Sequence, residues 1–121
     1  MAKTLFEKMF LKPEYSLLLL HVPPDLQNEL TANNADYVLK NTYNFIVAFY
    51  EKKGALLQEV EKLKESLETN GLLWIAYPKG KALRTDLNRD ILHETTKQNG
   101  LDGVSLISLN ETWSAMRFKN K

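Results

Sequence analysis

The sequence predicts a three-layer α/β fold whose mostly parallel sheet ends in an antiparallel C-terminal hairpin. Three apolar runs, at 16–22, 43–50 and 72–77, lack the alternation of half-exposed strands, which is typical of strands covered on both faces. The connections between these runs are about 20 residues long and have room for a helix, which parallel pairing requires. The predicted arrangement is therefore Rossmann-like.

The first third of the chain predicts two short helices on either side of a central strand. Apolar side chains recur at helical spacing over 4–11. The apolar run at 16–22 follows as the central strand and ends at Pro23, and a second short helix is expected over 24–30. The segment 36–39 is either a short extra strand or a loop, and its brevity leaves both open.

The clearest helix lies between the second and third apolar runs. Leu56, Val60, Leu63 and Leu67 recur at helical spacing and form one apolar face, while charged side chains cover the other face. Gly71 stands where a C-terminal cap belongs, so the helix is expected to end there.

The last third of the chain predicts a helix followed by the hairpin. Thr85 or Asp86 is suited to cap the helix, and Asn99-Gly100 is suited to end it. Alternation that begins at Val104 predicts a fourth strand. The fifth strand is expected to run back over 113–119 after a tight turn.

Composition limits the classes of function that are open. At 121 residues the chain is expected to be a single domain over 1–121. The absence of cysteine excludes disulfides, thiolate metal sites and a cysteine nucleophile, and makes the cytoplasm the expected compartment. A formal net charge of +1 gives no global attraction to nucleic acid or anionic lipid. No apolar run approaches the length of a bilayer span, so no membrane contact is expected.

Basic side chains gather just upstream of the last helix, at the carboxyl end of the third apolar run. Lys79, Lys81 and Arg84 are candidate anion-binding residues, because free N–H groups and the macrodipole at a helix N-terminus favour a phosphate or carboxylate. In the alternative, which we favour, Asp86 supplies the negative charge in the first turn and the basic residues only solvate a loop.

A polar cluster is expected on one face of the same helix. At about 100° per residue, Arg89, Asp90 and His93 share this face with Asp86. Because the two aspartates are four residues apart and repel, a cation is expected between them, either Arg89 or an incoming Arg117. We favour a structural salt-bridge network over acid/base catalysis.

The motifs of several enzyme and cofactor classes are missing. Neither G-x-G-x-x-G nor G-x-x-x-x-G-K-[ST] occurs, which disfavours dinucleotide and P-loop nucleotide binding. The two histidines, His21 and His93, have no metal-ligand spacing, so neither a metal nor a cofactor is predicted. Ser114 lacks the G-x-S-x-G elbow of a hydrolase, and the neighbouring Trp113 is assigned to the core.

Three motifs in order carry a resemblance to a known family. They are W-x-x-Y-P-K at 74–79, D-x-N-R-D at 86–90 and W-S-A-x-R-F at 113–118. Together they resemble an uncharacterised bacterial family of small single-domain proteins, and the resemblance covers the chain from Tyr43 onward. It implies a fold and no activity. These motifs supply a candidate cluster: Asp86, Asn88, Arg89, Asp90, Trp113, Ser114 and Arg117.

The order of the predicted elements is also similar to the C-terminal half of the class I methyltransferase sheet. Enzymes of that class hold the methyl donor with a glycine-rich loop, whereas Pro23-Pro24 follow the first strand here. The likeness therefore implies the sheet without the donor loop, and a fold alone does not imply a function.

Three functions stay open at this point. The leading hypothesis is a non-enzymatic cytoplasmic domain that acts by protein contacts or by weak anion binding at the strand-to-helix junction, 78–90. The alternative is a small transferase-like enzyme that uses Asp86, Asp90 and His93 as acid/base groups. A further alternative, which the interleaved aspartates disfavour, is nucleic-acid binding through Lys79, Lys81, Arg84 and Arg89. The sequence does not indicate an oligomeric state.

Overall fold

The computed structural model describes residues 5–12, 14–31, 35–79, 87 and 89–120. Its strands are β1 (Leu17–Leu20), β2 (Ala35–Asp36), β3 (Tyr43–Phe49), β4 (Leu67–Pro78), β5 (Leu101–Ser108) and β6 (Trp113–Asn120). Its helices are α1 (Leu5–Lys8), α2 (Lys53–Ser66) and α3 (Arg89–Gln98), with a 3₁₀ turn at Pro24–Leu26. Every apolar run that predicts a strand is found as one. Of the segment 36–39, for which strand and loop were both open, only Asp36 belongs to a strand, the two-residue β2.

The six strands form one mixed sheet in the order β2-β1-β3-β4-β6-β5. The strands β1 to β4 are parallel to one another, whereas β6 is antiparallel to both β4 and β5. Leu20 lies opposite Ala48, which lies opposite Ile75, so the carboxyl ends of β1, β3 and β4 meet along one rim. The predicted mostly parallel sheet with a C-terminal antiparallel hairpin is confirmed.

Helical segments cover both faces of this sheet. Helices α2 and α3 pack on one face, where the fully buried Leu56 and Leu63 contact strand residues such as Ile46. Helix α1 and the 3₁₀ turn pack on the other face around Trp74, whose Nε1–H donates to the Met9 carbonyl at 3.1 Å. Burial of large apolar side chains contributes about 1.5–3 kcal/mol each, so these two clusters hold the three layers together.

The end of α2 differs from the prediction. The helix ends at Ser66 and passes directly into β4 at Leu67, so Gly71 lies inside a strand and is not a helix cap. A Cβ at Gly71 would lie 2.8 Å from Leu67 Cδ1 and 3.0 Å from the Asn44 carbonyl oxygen. The glycine is therefore required because β4 approaches β3 closely there.

The end of α3 agrees with the prediction, since Gly100 takes the left-handed φ of 83° that ends helices. The predicted caps, Thr85 and Asp86, lie outside the described residues. The buried face of α3 includes Leu92 and Thr96, and the Thr96 hydroxyl donates to the Leu92 carbonyl at 2.7 Å. Within the described ranges, none of the helices combines the length and apolar character needed to cross a membrane.

Candidate functional site

A pocket of about 430 Å³ opens at the carboxyl ends of β1 and β3. This rim is where parallel sheets bind ligands, because the loops that leave neighbouring strands diverge there. The lining residues come from the ends of the two strands and from the first half of α2: His21, Phe49, Tyr50, Glu51, Lys52, Ala55, Gln58 and Glu59. We call it the rim pocket.

Glu59, in the wall of the rim pocket, has a carboxylate that accepts two hydrogen bonds. Glu59 Oε1 accepts from His21 Nε2 at 2.9 Å and from the Tyr50 hydroxyl at 2.7 Å. His21 and Tyr50 are the first residues after the neighbouring parallel strands β1 and β3, and their ring centroids lie 5.6 Å apart. Glu59 reaches them because its neighbour Val60 is buried against the sheet. The fold thus brings together three polar groups that are distant in the sequence.

The protonation of this cluster follows from its hydrogen bonds. Burial by itself would raise the pKa of Glu59, but the hydrogen bonds from Tyr50 and His21 outweigh it, so the pKa is lowered. Burial, reinforced by the Glu59 hydrogen bond and charge, raises the pKa of Tyr50 above its usual value. An ionised carboxylate only accepts hydrogen bonds, so the proton of the neutral His21 ring is on Nε2 and Nδ1 carries the lone pair.

The backbone at His21 is strained. Its φ of 58° lies in the left-handed region that residues other than glycine rarely adopt. This conformation costs about 1–2 kcal/mol per residue. The side chain is held by Glu59 and by an edge-to-face contact with Tyr50, whose ring centroid lies 5.6 Å away. Strain of this kind is found at sites where the surroundings fix a side chain in place.

A second pocket, of about 320 Å³, lies on the other side of His21. Its walls include the apolar side chains of Leu19, Val22 and Leu30, and two of its hydroxyl groups are paired, since Thr31 Oγ1 and the Tyr37 hydroxyl lie 2.9 Å apart. The lining residues are Leu19, His21, Val22, Gln27, Leu30, Thr31 and Tyr37. We call it the edge pocket because it lies beside the short outer strand β2.

The predicted anion site is only partly described. Lys79 is half-buried, and its Nζ donates to Ser108 Oγ at 2.5 Å. Lys81 and Arg84 lie outside the described residues. Anion binding at this junction therefore stays a prediction, although one of its three cations already has an intramolecular partner.

The predicted polar face of α3 is partly found. Arg89 and Asp90 are exposed and lie 3.6 Å apart, and His93 is also exposed. Asp86 and Asn88 lie outside the described residues. Surface pairs of this kind contribute less than about 1 kcal/mol.

The hairpin residues of the motif cluster separate onto two faces of the sheet. Arg117 lies on the face opposite α3, with its guanidinium carbon 5.6 Å from the Phe10 ring centroid, so the alternative in which Arg117 approaches Asp90 is wrong. Trp113 is buried on that same face, which confirms its assignment to the core. Ser114 is on the α3 side and hydrogen bonds to the Tyr77 phenol. Successive residues of a strand point to opposite faces, and this alternation separates the cluster.

The pairing of His21 with Glu59 was missed by the sequence analysis. The sequence places His21 at the rim, directly after an apolar strand, but Glu59 is 38 positions further along and belongs to a charged helix face. Only the crossover of α2 above the sheet brings them together. In the described part of the chain, no group of three or more metal-ligating side chains is found.

Comparisons with known proteins show the fold. No protein-family model matches the sequence, and no curated protein is significantly similar to it. Several of the solved structures that resemble the chain are methyltransferases, at low sequence identity. A ribosomal protein L11 methylase from Lactobacillus delbrueckii subsp. bulgaricus has a TM-score of 0.64 at 12% identity, over 96% of this chain and 74% of that one.

Two further neighbours have the same architecture. The N-methyltransferase NodS from Bradyrhizobium japonicum WM9 has a TM-score of 0.56 at 13% identity, over 88% of this chain and 86% of that one. A methyltransferase from Pyrococcus furiosus has a TM-score of 0.59 at 12% identity, over 93% of this chain and 78% of that one. The chain thus has a Rossmann-like fold of the kind found in methyltransferases.

Proposed function

We propose that this protein is a small transferase-like enzyme whose substrate binds in the rim pocket beside His21 and Glu59. The observation that carries the proposal is the 2.9 Å contact between His21 Nε2 and Glu59 Oε1 in the wall of that pocket. The fold shared with methyltransferases supports a transferase-like role, and the pocket occupies the rim at which such sheets bind ligands.

The chemistry that this pair supports is general acid/base catalysis. Glu59 orients the His21 ring by accepting the hydrogen bond from Nε2, and the Nδ1 lone pair is left to accept a proton from a bound ligand. A positioned base of this type contributes typically 10²–10⁴-fold to a rate. Tyr50 acts on the reaction only through Glu59, so it is a positioning residue.

The pocket has the dimensions and chemistry of a small-molecule site. Its 430 Å³ lies within the range of about 300–1,000 Å³ usual for ligand pockets. Phe49 and Tyr50 supply aromatic walls, and Glu59 supplies a hydrogen-bond acceptor. A small ligand with an apolar body and an amine or hydroxyl donor fits this arrangement.

The methyl donor of the neighbouring enzymes fits this site poorly. NodS has been solved in complex with S-adenosylhomocysteine. In this chain the residue after β1 is His21, whose imidazole occupies the rim, and Pro23 and Pro24 have no backbone N–H to offer a ligand. We therefore place no methyl donor in this crevice, and the proposed proton transfer does not depend on one.

A ligand screen with the two histidine variants tests the proposal. Thermal shift and NMR titration with a library of small amines, amino alcohols and hydroxy acids would be run on the wild type, His21→Asn and His93→Asn. Asparagine tolerates the left-handed conformation, so His21→Asn keeps the backbone. We expect ligands that shift the His21 and Tyr50 signals to lose at least tenfold in affinity in His21→Asn and to bind His93→Asn normally. A library without a single binder, or binders unaffected by His21→Asn, would count against the proposal.

A further inference from the structure

His21 stands between two pockets. It is the one described residue that lines both the rim pocket of 430 Å³ and the edge pocket of 320 Å³. The geometry points to a role for His21 as the residue that sets the size of the ligand: its imidazole separates the two pockets, admits small ligands to the rim pocket and excludes elongated ones. This inference rests on the proposed function insofar as it specifies the substrate of the same rim pocket.

The backbone at this position is suited to a smaller residue. A φ of 58° is populated freely by glycine, whereas it is strained for a histidine. Two contacts nevertheless hold the imidazole. Its Nε2 donates to Glu59 Oε1 at 2.9 Å, and its ring centroid lies 5.6 Å from that of Tyr50. The His21 side chain is 51% exposed, and these two contacts fix the imidazole where both pockets are lined by it.

The lining of the two pockets defines the ligand that the His21 imidazole excludes. On one side Glu59 offers an acceptor to an amine or to hydroxyl groups. On the other side Leu19, Val22 and Leu30 form an apolar wall that suits the flat face of a base or another ring. A ligand with a ring at one end and amine or hydroxyl donors at the other would need the space that the imidazole takes. Adenosyl compounds belong to this class.

The test removes the His21 imidazole by mutation and measures the binding of one elongated probe. The full chain would be prepared as wild type, His21→Gly and His21→Ala, with His93→Ala as the matched control. S-adenosylhomocysteine is the elongated probe, and the small amines of the preceding screen are the short ones. We expect His21→Gly and His21→Ala to bind S-adenosylhomocysteine at least tenfold more tightly than the wild type, with NMR shifts at both Glu59 and Leu30. His93→Ala should behave as the wild type.

The outcomes separate the inference from the proposed function. The inference is overturned if the wild type, His21→Gly and His21→Ala bind S-adenosylhomocysteine with equal affinity while circular dichroism shows that all three are folded. Tighter binding confined to the two His21 variants supports it, even if no small amine binds the wild type and the proposed function fails. If His21→Gly does not fold, His21→Ala decides the question, because alanine removes the imidazole without adding backbone freedom.

Discussion

Glu59 Oε1 accepts a 2.9 Å hydrogen bond from His21 Nε2, and this contact joins helix α2 to the end of β1. The two residues lie on elements that are not adjacent in the sequence, and the carboxylate is further fixed by the Tyr50 hydroxyl at 2.7 Å. The contact therefore belongs both to the candidate site and to the packing of α2. Its removal should change stability in a pH-dependent way.

The first prediction concerns Glu59→Gln. The pKa of Glu59 is lowered in the folded protein, so its contribution is present above its ordinary value near 4.5 and is lost as the pH falls through the folded value. Since the side chain is 35% exposed, we expect Glu59→Gln to lower the free energy of unfolding at neutral pH by only about 1 kcal/mol. The variant should also lose less stability than the wild type between neutral and acid pH, as measured by urea unfolding.

The matched control is Glu61→Gln on the same helix. Glu61 is 62% exposed and lies 3.7 Å from Lys64, a surface pair that contributes little. We expect Glu61→Gln to unfold with a pH dependence like that of the wild type. If Glu59→Gln and Glu61→Gln lost equal amounts of stability, the overall charge of α2 and not the contact between His21 and Glu59 would account for the effect.

The second prediction concerns Tyr50, which is 3% exposed. Its pKa is raised, so the neutral hydroxyl stabilises the fold below the unfolded value of about 10, and this contribution is lost as the pH rises above it. We expect Tyr50 to be among the tyrosines that resist ionisation until the protein unfolds, as followed by tyrosinate absorbance, because burial raises the pKa values of Tyr43 and Tyr77 as well. Tyr50→Phe should remove one of these groups and cost about 1 kcal/mol for the lost hydrogen bond. A late titration of undiminished amplitude in Tyr50→Phe would assign it to the other tyrosines alone.

The third prediction concerns Gly71. A Cβ there would lie 2.8 Å from Leu67 Cδ1 and within 3.0 Å of the Glu68 and Asn44 carbonyl oxygens. Backbone atoms cannot yield as a flexible side chain does, so Gly71→Ala should lower the free energy of unfolding by about 1–3 kcal/mol. Gly54→Ala is the control, because that position has no atom within 4 Å and lies in α2. It should leave stability unchanged or raise it by up to about 1 kcal/mol. Thermal unfolding that ranks the two variants in the opposite order would refute the account of Gly71.

The fourth prediction concerns Arg117. Its Nε is buried, with no hydrogen-bond partner in the described part of the chain, while its guanidinium lies over the Phe10 ring. Methionine would fill a similar space without a buried unpaired N–H group. We expect Arg117→Met to change the free energy of unfolding by less than about 1 kcal/mol, and Arg117→Ala to lose about 1–2 kcal/mol of packing. If methionine destabilises as much as alanine in urea titrations, the guanidinium has a required polar partner.

Local pattern determined the strands and their direction. The three apolar runs are unbroken, and two of them end at prolines, so their identity as buried strands followed from solvation and from the missing proline N–H. Long connections then required parallel pairing, and the structure confirms both. Gly71 was misassigned because a glycine that ends a helix and a glycine that lets two strands approach look alike in sequence. The approach of Asn44 distinguishes them.

Tertiary structure alone decided the composition of the site. A cation was expected between Asp86 and Asp90, either Arg89 or Arg117. Which face of β6 a residue occupies depends on the strand register, and the register places Arg117 opposite Trp74 on the face that α1 covers. His21 and Glu59 were each visible as polar residues, yet their contact depends on how α2 crosses the sheet. The periodicity of apolar residues in a sequence indicates which side chains are buried. The distance between two polar groups is set by packing across elements, and one sequence does not encode that in any local pattern.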